Sequence, residues 1–247
     1  MSTRASTLDK AEIDRFDRLA RDWWDPDGPM KPLHRINPLR LGFIRDEVCR
    51  HFARDPRGAF PFERLSWLDV GCGAGLLSEP AMRLGADVVG LDPASRNIEV
   101  ARGHAEEAGL AIDYRTQTVE SVAAGPERFD VVVAMEVVEH VADVALFVRA
   151  CAEALKPGGL LLLSTINRTL RAFGLVIVGA EYVLRWLPRG THDWEKFVTP
   201  AELGQATSKA GLSEFRTRGM VFDPFRDAFR LSDDTAVNYL AAATKAP

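Results

Sequence analysis

A glycine-rich turn flanked by two acidic residues is the feature of this sequence best suited to chemistry. Asp69 precedes Gly71, Gly73 and Gly75, and Asp92 ends the apolar run that follows. Glycine has no Cβ, so a turn built from it lets the backbone approach a ligand closely. A carboxylate at the end of the next strand is suited to accept hydrogen bonds from both hydroxyls of a ribose. The pattern therefore predicts a binding site for a nucleoside-containing cofactor.

The spacing of the glycines indicates which nucleoside cofactor binds. Dinucleotide enzymes use G-x-G-x-x-G, in which a helix N-terminus meets the pyrophosphate, whereas here Leu76 takes the position of the last glycine. The carboxylate of Asp69 would repel a pyrophosphate but attract an ammonium or sulfonium group. The segment therefore resembles motif I of the class I S-adenosylmethionine (SAM) methyltransferases and disfavours a nicotinamide oxidoreductase. The structural alternative is a glycine turn that only packs a helix against a sheet.

Alternating strand and helix patterns surround this turn and must position it. The run Phe129–Met135 is continuously apolar, as expected of a parallel strand that is covered on both faces. The alternation predicts an α/β fold with a doubly wound, seven-stranded, mostly parallel sheet, whose ligand lies at the carboxyl ends of the strands. The predicted strands are 67–70, 87–92, 112–116, 129–135, 160–165, 215–220 and 237–244.

The first 60 residues precede the predicted sheet. An apolar stripe at helical spacing predicts a helix over residues 9–24, and Asp25 to Arg40 contains four prolines and reads as an ordered loop. A second helix is predicted over Leu41 to Phe52. We therefore expect residues 1–60 to form a helical cap that covers substrate and cofactor, and residues 61–247 to form the catalytic domain.

Composition excludes several classes of function. The chain has 247 residues and a net charge of −4, which disfavours nucleic acid as a partner because phosphate binding requires a basic surface. Its three cysteines form no paired framework, which suits a reducing compartment. Neither a signal peptide nor an apolar run of the ~18 residues needed to span a bilayer is apparent, so we expect a cytoplasmic protein.

Several further motifs resemble those of the ubiquinone-biosynthesis O-methyltransferases, and the resemblance extends from about Ile13 to Tyr239. The segment from Leu155 to Gly159 before a predicted strand also resembles the motif that class I methyltransferases carry there. The matching segments are 23–25, 31–40, 136–141, 164–168, 178–182, 190–193 and 237–239. No departure is found in the cofactor motifs.

The resemblance implies a Rossmann-like class I methyltransferase fold and a SAM-dependent enzyme. Such enzymes methylate phenolic hydroxyls of polyprenylated ubiquinone precursors, at both O-methylation steps of ubiquinone biosynthesis. The implied partners are the polyprenylated phenol or catechol and other enzymes of the pathway. Two alternatives stay open: a class I methyltransferase with another small-molecule acceptor, and a non-catalytic module that binds SAM or lipid.

We expect the three polar handles of SAM to be held by separate residues. Asp92 is expected to bind the ribose, although it would otherwise be a helix cap. Asp69 is expected to meet the ammonium group, and the resemblance assigns Arg40 to the carboxylate, which a guanidinium grips bidentately. Without the resemblance, Arg40 would be read as an exposed basic residue. The full expected cofactor set is Arg40, Asp69, Gly71, Gly73, Gly75, Asp92 and Met135.

Three residues after the buried strand are candidates for the acceptor chemistry. Glu136, Glu139 and His140 are spaced i, i+3 and i+4, so a helical turn there would place them on one side. They can hold a divalent cation, and the resemblance suggests Mg²⁺. Alternatively, His140 alone is the general base, and Glu139 stays a catalytic candidate beside it. The structural alternative is a helix-start cluster in which the glutamates favour the helix dipole.

The segment 170–189 is expected to touch the membrane in which the implied substrate resides. Its apolar residues share one helical face and arginines flank that face, which is typical of interfacial helices. Residues 168–192 would then form a lid or membrane-interface insertion, and the protein would associate peripherally with the inner face of the cell membrane. The alternative is an ordinary helix that packs over the acceptor pocket.

Overall fold

The computed structural model describes residues 7, 10–175, 193–223 and 225–247. The strands are β1 (Ser66–Val70), β2 (Asp87–Leu91), β3 (Asp113–Arg115), β4 (Phe129–Met135), β5 (Leu155–Ile166), β6 (Leu212–Asp223), β7 (Ala228–Ser232) and β8 (Asn238–Lys245). Within the described ranges they form an eight-stranded sheet in the order β3-β2-β1-β4-β5-β8-β6-β7. The first five strands are mutually parallel, and β8, β6 and β7 continue the sheet by antiparallel pairing.

Helices connect the strands and cover both faces of the sheet. The α-helices are α1 (Lys10–Leu19), α2 (Lys31–His51), α3 (Ser78–Arg83), α4 (Ser95–Glu107), α5 (Val119–Ala123), α6 (Val144–Ala154), α7 (Leu170–Ala172) and α8 (Pro200–Lys209), with short 3₁₀ helices at Ala20–Asp22, Val138–His140 and Trp194–Lys196. Helices α5, α6 and α8 pack on one face, and α2 and α3 pack on the other. This is the expected doubly wound arrangement.

The central strands are apolar because both of their faces are buried. Along β4, Val131 and Val133 pack with α2 and α3, whereas Val132 and Ala134 pack with α5 and α6. Successive side chains of a strand point to opposite faces, so a strand between two helical layers needs apolar residues at every position. This arrangement brings the carboxyl ends of β1, β2 and β4 to one edge of the sheet.

The sheet has eight strands rather than the predicted seven, and the additional strand is β7. Its five residues are exposed or half-buried, and it pairs along one side with β6 alone. A short edge strand that is buried on neither face gives no continuous apolar run. The local pattern therefore did not identify it.

The prediction of an ordered loop from Asp25 to Arg40 is wrong for its second half, because α2 already begins at Lys31. Pro32 lies in the first turn of α2, where a missing N–H is tolerated, and Pro38 lies inside the helix. Pro32 therefore marks a helix start rather than a loop. The early start lets α2 present Arg40 from its interior.

The segment expected to touch the membrane falls mostly on residues 176–192, which lie outside the described residues. The resemblance motifs at 178–182 and most of 190–193 lie there as well. Among the helices that the structure describes, none has both the length and the apolar character needed to cross a bilayer.

Candidate active site

The glycine-rich turn leads from β1 towards α3 and is hydrogen-bonded to the carboxyl end of β2. Gly71, Gly73 and Gly75 all adopt positive φ angles of 70°, 54° and 93°, which glycine adopts without a steric penalty. The backbone N–H groups of Gly71 and Cys72 donate to the carbonyl of Leu91 at 2.7 and 2.9 Å. These bonds fix the turn at the end of β2, immediately before Asp92.

The three glycines face different neighbours. A Cβ on Gly73 would lie 2.3 Å from the ring of Trp23, and a Cβ on Gly75 would lie 2.2 Å from the hydroxyl of Tyr114. Gly71 lines the large cavity at this edge of the sheet, whereas Gly73 and Gly75 do not. The latter two therefore make room for protein side chains, and their contact with a cofactor stays a prediction.

Asp92 is buried and organises the turn. Its Oδ2 accepts from the backbone N–H of Gly73 at 3.0 Å, and its Oδ1 accepts from that of Ala94 at 2.8 Å, just before α4. Burial raises the pKa of Asp92 to about 6. The residue is thus a structural anchor as well as a cavity-lining carboxylate, because each oxygen keeps a second lone pair for a ligand hydroxyl.

Asp69 lies on β1 beside the same cavity. It is buried, and its Oδ2 accepts a 2.6 Å hydrogen bond from the Ser78 hydroxyl at the start of α3. Burial, with a smaller contribution from the negative charge of Asp92, raises the pKa of Asp69 to about 6. Two buried carboxylates therefore share one cavity, and both are favourably placed to be stabilised by a cationic ligand.

Arg40 projects from α2 into the site, and it is buried rather than an exposed basic residue. Its Nη2 lies 2.9 Å from Glu136 Oε1, and its Nη1 donates to Asn37 Oδ1 at 3.2 Å. Its Nε is buried without a hydrogen-bond partner. A buried guanidinium with an unsatisfied donor is suited to a ligand carboxylate. Met135 ends β4 and lines the same cavity.

The expected α-helical turn through Glu136, Glu139 and His140 is not formed, although all three residues line one cavity. The helical turn after β4 is a 3₁₀ turn over Val138–His140, and Glu136 precedes it with a positive φ of 56°. Glu136 accepts a 2.6 Å hydrogen bond from Ser164 and pairs with Arg40. In the described ranges of the chain, no group of three His, Cys, Asp or Glu side chains is arranged to hold a metal ion.

Glu139 is a buried acid at the cavity wall. Its Oε2 accepts a 2.7 Å hydrogen bond from Thr165, and its Oε1 is buried without a hydrogen-bond partner. Burial, and then the nearby charge of Glu136, raise the pKa of Glu139 to about 7. An unsatisfied buried oxygen is costly, so this position favours a ligand that donates a hydrogen bond to it.

His140 is held by residues of α1 rather than by its own cluster. Its Nδ1 lies 3.3 Å from Glu12 Oε2, and its ring meets Phe16 edge to face at 5.3 Å. Burial alone would raise the pKa of Glu12, but hydrogen bonding and the charges of His140, Arg15 and Lys196 lower it below its ordinary value. Glu12 therefore faces the imidazole as a carboxylate.

A cavity of about 960 Å³ joins these groups. It is lined by Arg40, Asp69, Gly71, Asp92 and Met135 from the expected cofactor set, and by Glu136, Glu139 and His140 from the expected acceptor set. Sequence reasoning did not assign a site role to Glu12 or Trp23. Both lie on a segment whose apolar stripe predicted a helix. The spacing of apolar residues does not indicate that Glu12 contacts His140.

Comparison with known proteins identifies the family. The family model described as a methyltransferase domain matches residues 38–214. A ubiquinone biosynthesis O-methyltransferase of Methylobacterium nodulans is 59% identical over 98% of both chains. A protein of the same name from Azorhizobium caulinodans is 57% identical over 96% of this chain and 94% of its own.

Solved structures agree with the fold. The magnesium protoporphyrin IX methyltransferase of Synechocystis with bound SAH has a TM-score of 0.62 at 21% identity, covering 94% of each chain. The plantazolicin methyltransferase BpumL, in complex with SAH, has a TM-score of 0.64 at 15% identity, covering 97% of this chain and 100% of its own. The chain therefore belongs to the ubiquinone biosynthesis O-methyltransferases, which are SAM-dependent enzymes with the Rossmann-like class I methyltransferase fold.

Proposed function

We propose that this chain transfers the methyl group of SAM to phenolic hydroxyls of polyprenylated ubiquinone precursors, at both O-methylation steps. The relatives that share 59% and 57% of its residues are named for this pathway. The observation that carries the proposal is a cavity lined at once by the paired acids Asp69 and Asp92 and by Glu139 and His140. One cavity can therefore hold a cationic nucleoside and an acidic acceptor side by side.

The charges of the cavity match the two ends of SAM. Asp92 is proposed to accept the ribose hydroxyls, and Asp69 the ammonium group. Arg40 is proposed to bind the carboxylate through its unsatisfied Nε. When bound, SAM supplies a methyl group on a cationic sulfur, and that C–S bond breaks as the phenolic oxygen forms the new C–O bond. The protein mainly aligns donor and acceptor.

His140 is proposed to take the phenolic proton. A free phenol has a pKa near ~10, so transfer at neutral pH requires a base or a stabilised anion. Because the carboxylate of Glu12 lies 3.3 Å from Nδ1, we propose that Nδ1 carries the hydrogen and that Nε2 accepts the proton. The charge of Glu12 then stabilises the imidazolium that forms.

Glu139 is proposed to orient the acceptor. Its Oε1 lacks a hydrogen-bond donor, and the second hydroxyl of a catechol is a suitable one. The acceptor hydroxyls would thus be held between Glu139 and His140.

The Mg²⁺ that the resemblance suggests does not fit this arrangement. Glu136 is paired with Arg40 and Ser164, and His140 faces Glu12. In the part of the chain that the structure describes, no three His, Cys, Asp or Glu side chains are arranged to hold a metal ion, and a divalent cation needs several oxygen ligands. The proposed proton route therefore runs through His140 alone.

The proposal is tested by SAM turnover with short-tailed demethylubiquinol, and with the corresponding 2-prenyl-6-hydroxyphenol, in Mg²⁺ and in EDTA. We expect methyl transfer to both acceptors in both media. Absence of transfer in every condition would refute the ubiquinone assignment and favour another small-molecule acceptor. Transfer that requires Mg²⁺ would refute the metal-free proton route.

Because its acceptor is a lipid, the enzyme is proposed to work from the cytoplasm at the inner face of the cell membrane, with residues 1–60 as a cap. Within segment 170–189, the described Leu170 and Leu175 are 84% and 56% exposed, which suits contact with lipid. Sedimentation with anionic vesicles tests this. Other pathway enzymes are proposed partners, and co-purification from a membrane fraction tests that contact.

A further inference from the structure

A two-stranded hairpin extends beyond the edge of the sheet that carries the carboxyl ends of β1, β2 and β4. Strand β6 pairs with β8 only as far as Met220, which lies opposite Asn238, and Asn238 lies opposite Ile166 at the end of β5. Beyond Met220, β6 pairs with β7 alone. Because β6 runs parallel to β5, this extension stands above the same edge at which the cofactor residues gather.

The hairpin turns apolar side chains toward the cavity. Phe222 and Phe229 are directly opposite one another across the two strands, with ring centroids 5.3 Å apart. Met220 shares their face because it lies two residues before Phe222. All three line the cavity that also holds Asp92 and His140. We call Met220, Phe222 and Phe229 the aromatic wall.

Helix α2 fixes the aromatic wall in place. The guanidinium of Arg35 lies over the ring of Phe222, 5.3 Å from its centroid, and pairs with Asp227 at the hairpin tip at 2.5 Å. Ile36, the next residue of α2, is buried and also lines the cavity. The wall and Ile36 therefore give this channel, the part of the cavity between the hairpin and α2, an apolar lining, with Arg35 at its side.

This channel is remote from the methyl-transfer position. In the strand order, β5 and β8 separate β4, which ends at Met135, from β6, so three spacings of ~4.8 Å place the wall about 14 Å away. Asp69 and Asp92 lie on the opposite side of β4 from the wall, so a cofactor that they hold extends away from it. The acceptor has one apolar extension long enough to reach the wall, which is its prenyl tail.

We propose that the aromatic wall is the subsite for the polyprenyl tail of the acceptor. The inference rests on the proposed function, because it takes the tail from that substrate class. Aromatic rings offer a large apolar surface to an isoprenoid chain, which gains free energy as it leaves water. The aromatic wall thereby raises the affinity of the enzyme for the acceptor that carries a prenyl tail, although it lies far from the reacting atoms.

The first test compares acceptors with and without a tail in the variants Phe222→Ala and Phe229→Ala. We expect each to raise the KM of a long-tailed demethylubiquinol by about tenfold, since losing one ring contact costs on the order of 1.4 kcal/mol. The kcat, and the KM of the tail-free acceptor, should stay unchanged. The control is Phe60→Ala, an exposed phenylalanine that does not line the cavity. Equal effects on both acceptors, or none on either, would overturn the proposal.

A second test uses the unmodified enzyme, so it does not depend on a variant that folds. A long-tailed acceptor analogue with a diazirine on its third isoprene unit is photolysed in the complex with SAH. We expect cross-links to peptides that contain Met220, Phe222 or Phe229. Cross-links confined to residues 176–192 or to other segments would overturn the assignment. Failure of the proposed function is distinct, because the wild-type enzyme would then methylate neither the tail-free nor the long-tailed acceptor.

Discussion

SAM affinity is expected to fall as the pH is lowered through about 6, because binding requires two ionised carboxylates whose pKa values burial has raised. Asp69 and Asp92 both have pKa values raised to about 6, chiefly by burial. An ammonium group and ribose hydroxyl donors favour the ionised form of each carboxyl. A protonated Asp69 or Asp92 must therefore lose its proton when the cofactor binds.

The magnitude follows from the two pKa values. For one carboxyl of pKa about 6 that must be ionised, the dissociation constant scales as 1 + 10^(pKa − pH), so it rises about tenfold from about pH 7 to about pH 5. This corresponds to about 1.4 kcal/mol, and two such carboxyls give up to about a hundredfold. The perturbation is thus large enough for calorimetry to measure directly.

The assay is isothermal titration of SAH and SAM between about pH 5 and about pH 8, in two buffers that differ in ionisation enthalpy. Proton release should approach one to two per cofactor at the acid end and vanish at the alkaline end. In Asp69→Asn, one of the two proton-release steps should disappear. Affinity that stays flat over this range, with no proton release, would refute the assignment of both carboxylates to the cofactor.

The stability of the free protein is expected to change in the opposite direction. The folded-state pKa values of Asp69 and Asp92 lie above the ordinary value of 3.8, so the folded state holds protons that the unfolded state has released. The associated stability is fully present below about pH 4 and is lost as the pH rises through about 6. Bound SAM should restore part of the loss at neutral pH, which thermal unfolding with and without cofactor measures.

Three further substitutions test other contacts. Glu12→Gln should lower kcat by at least tenfold and leave SAM affinity unchanged. The control Asp14→Asn, on the exposed side of the same helix, should change neither quantity. Equal kcat values in the two variants would contradict the role of Glu12. Gly73→Ala should weaken SAM binding and lower Tm, because it costs ~1–2 kcal/mol at positive φ and its Cβ would lie 2.3 Å from Trp23; an unchanged Tm would contradict this. Thr199→Ala removes a capping box, so it should lower the free energy of unfolding in denaturant by about 1 kcal/mol. A decrease of less than a few tenths of a kcal/mol would exclude that contribution.

The geometry of the glycine-rich turn was largely predictable because local chemistry determines it. A turn that needs positive φ at Gly71, Gly73 and Gly75 can be read from residue type alone. The strand ends that carry Asp69 and Asp92 follow from apolar runs of the right length. Which glycine faces a ligand and which faces a side chain was not predictable, because Trp23 and Tyr114 approach from distant parts of the chain.

The acceptor side was less predictable because tertiary contacts decide it. The i, i+3, i+4 spacing of Glu136, Glu139 and His140 assumed a regular helical turn, but a positive φ at Glu136 turns that residue toward Arg40. The partner of His140 is Glu12, which is 128 residues earlier in the sequence. No periodicity in either segment indicates that they meet.

The N-terminal segment and the glycine-rich turn act as one structural unit. The Trp24 indole donates to the carbonyl of Ala74 at 3.0 Å, while the Trp23 ring occupies the space that the missing side chain of Gly73 leaves. The same segment supplies Glu12 to the acceptor side of the cavity. Displacement of this segment would therefore expose the glycine-rich turn and remove Glu12 from His140 at the same time. A substitution that loosens the segment should therefore weaken cofactor binding and lower kcat together.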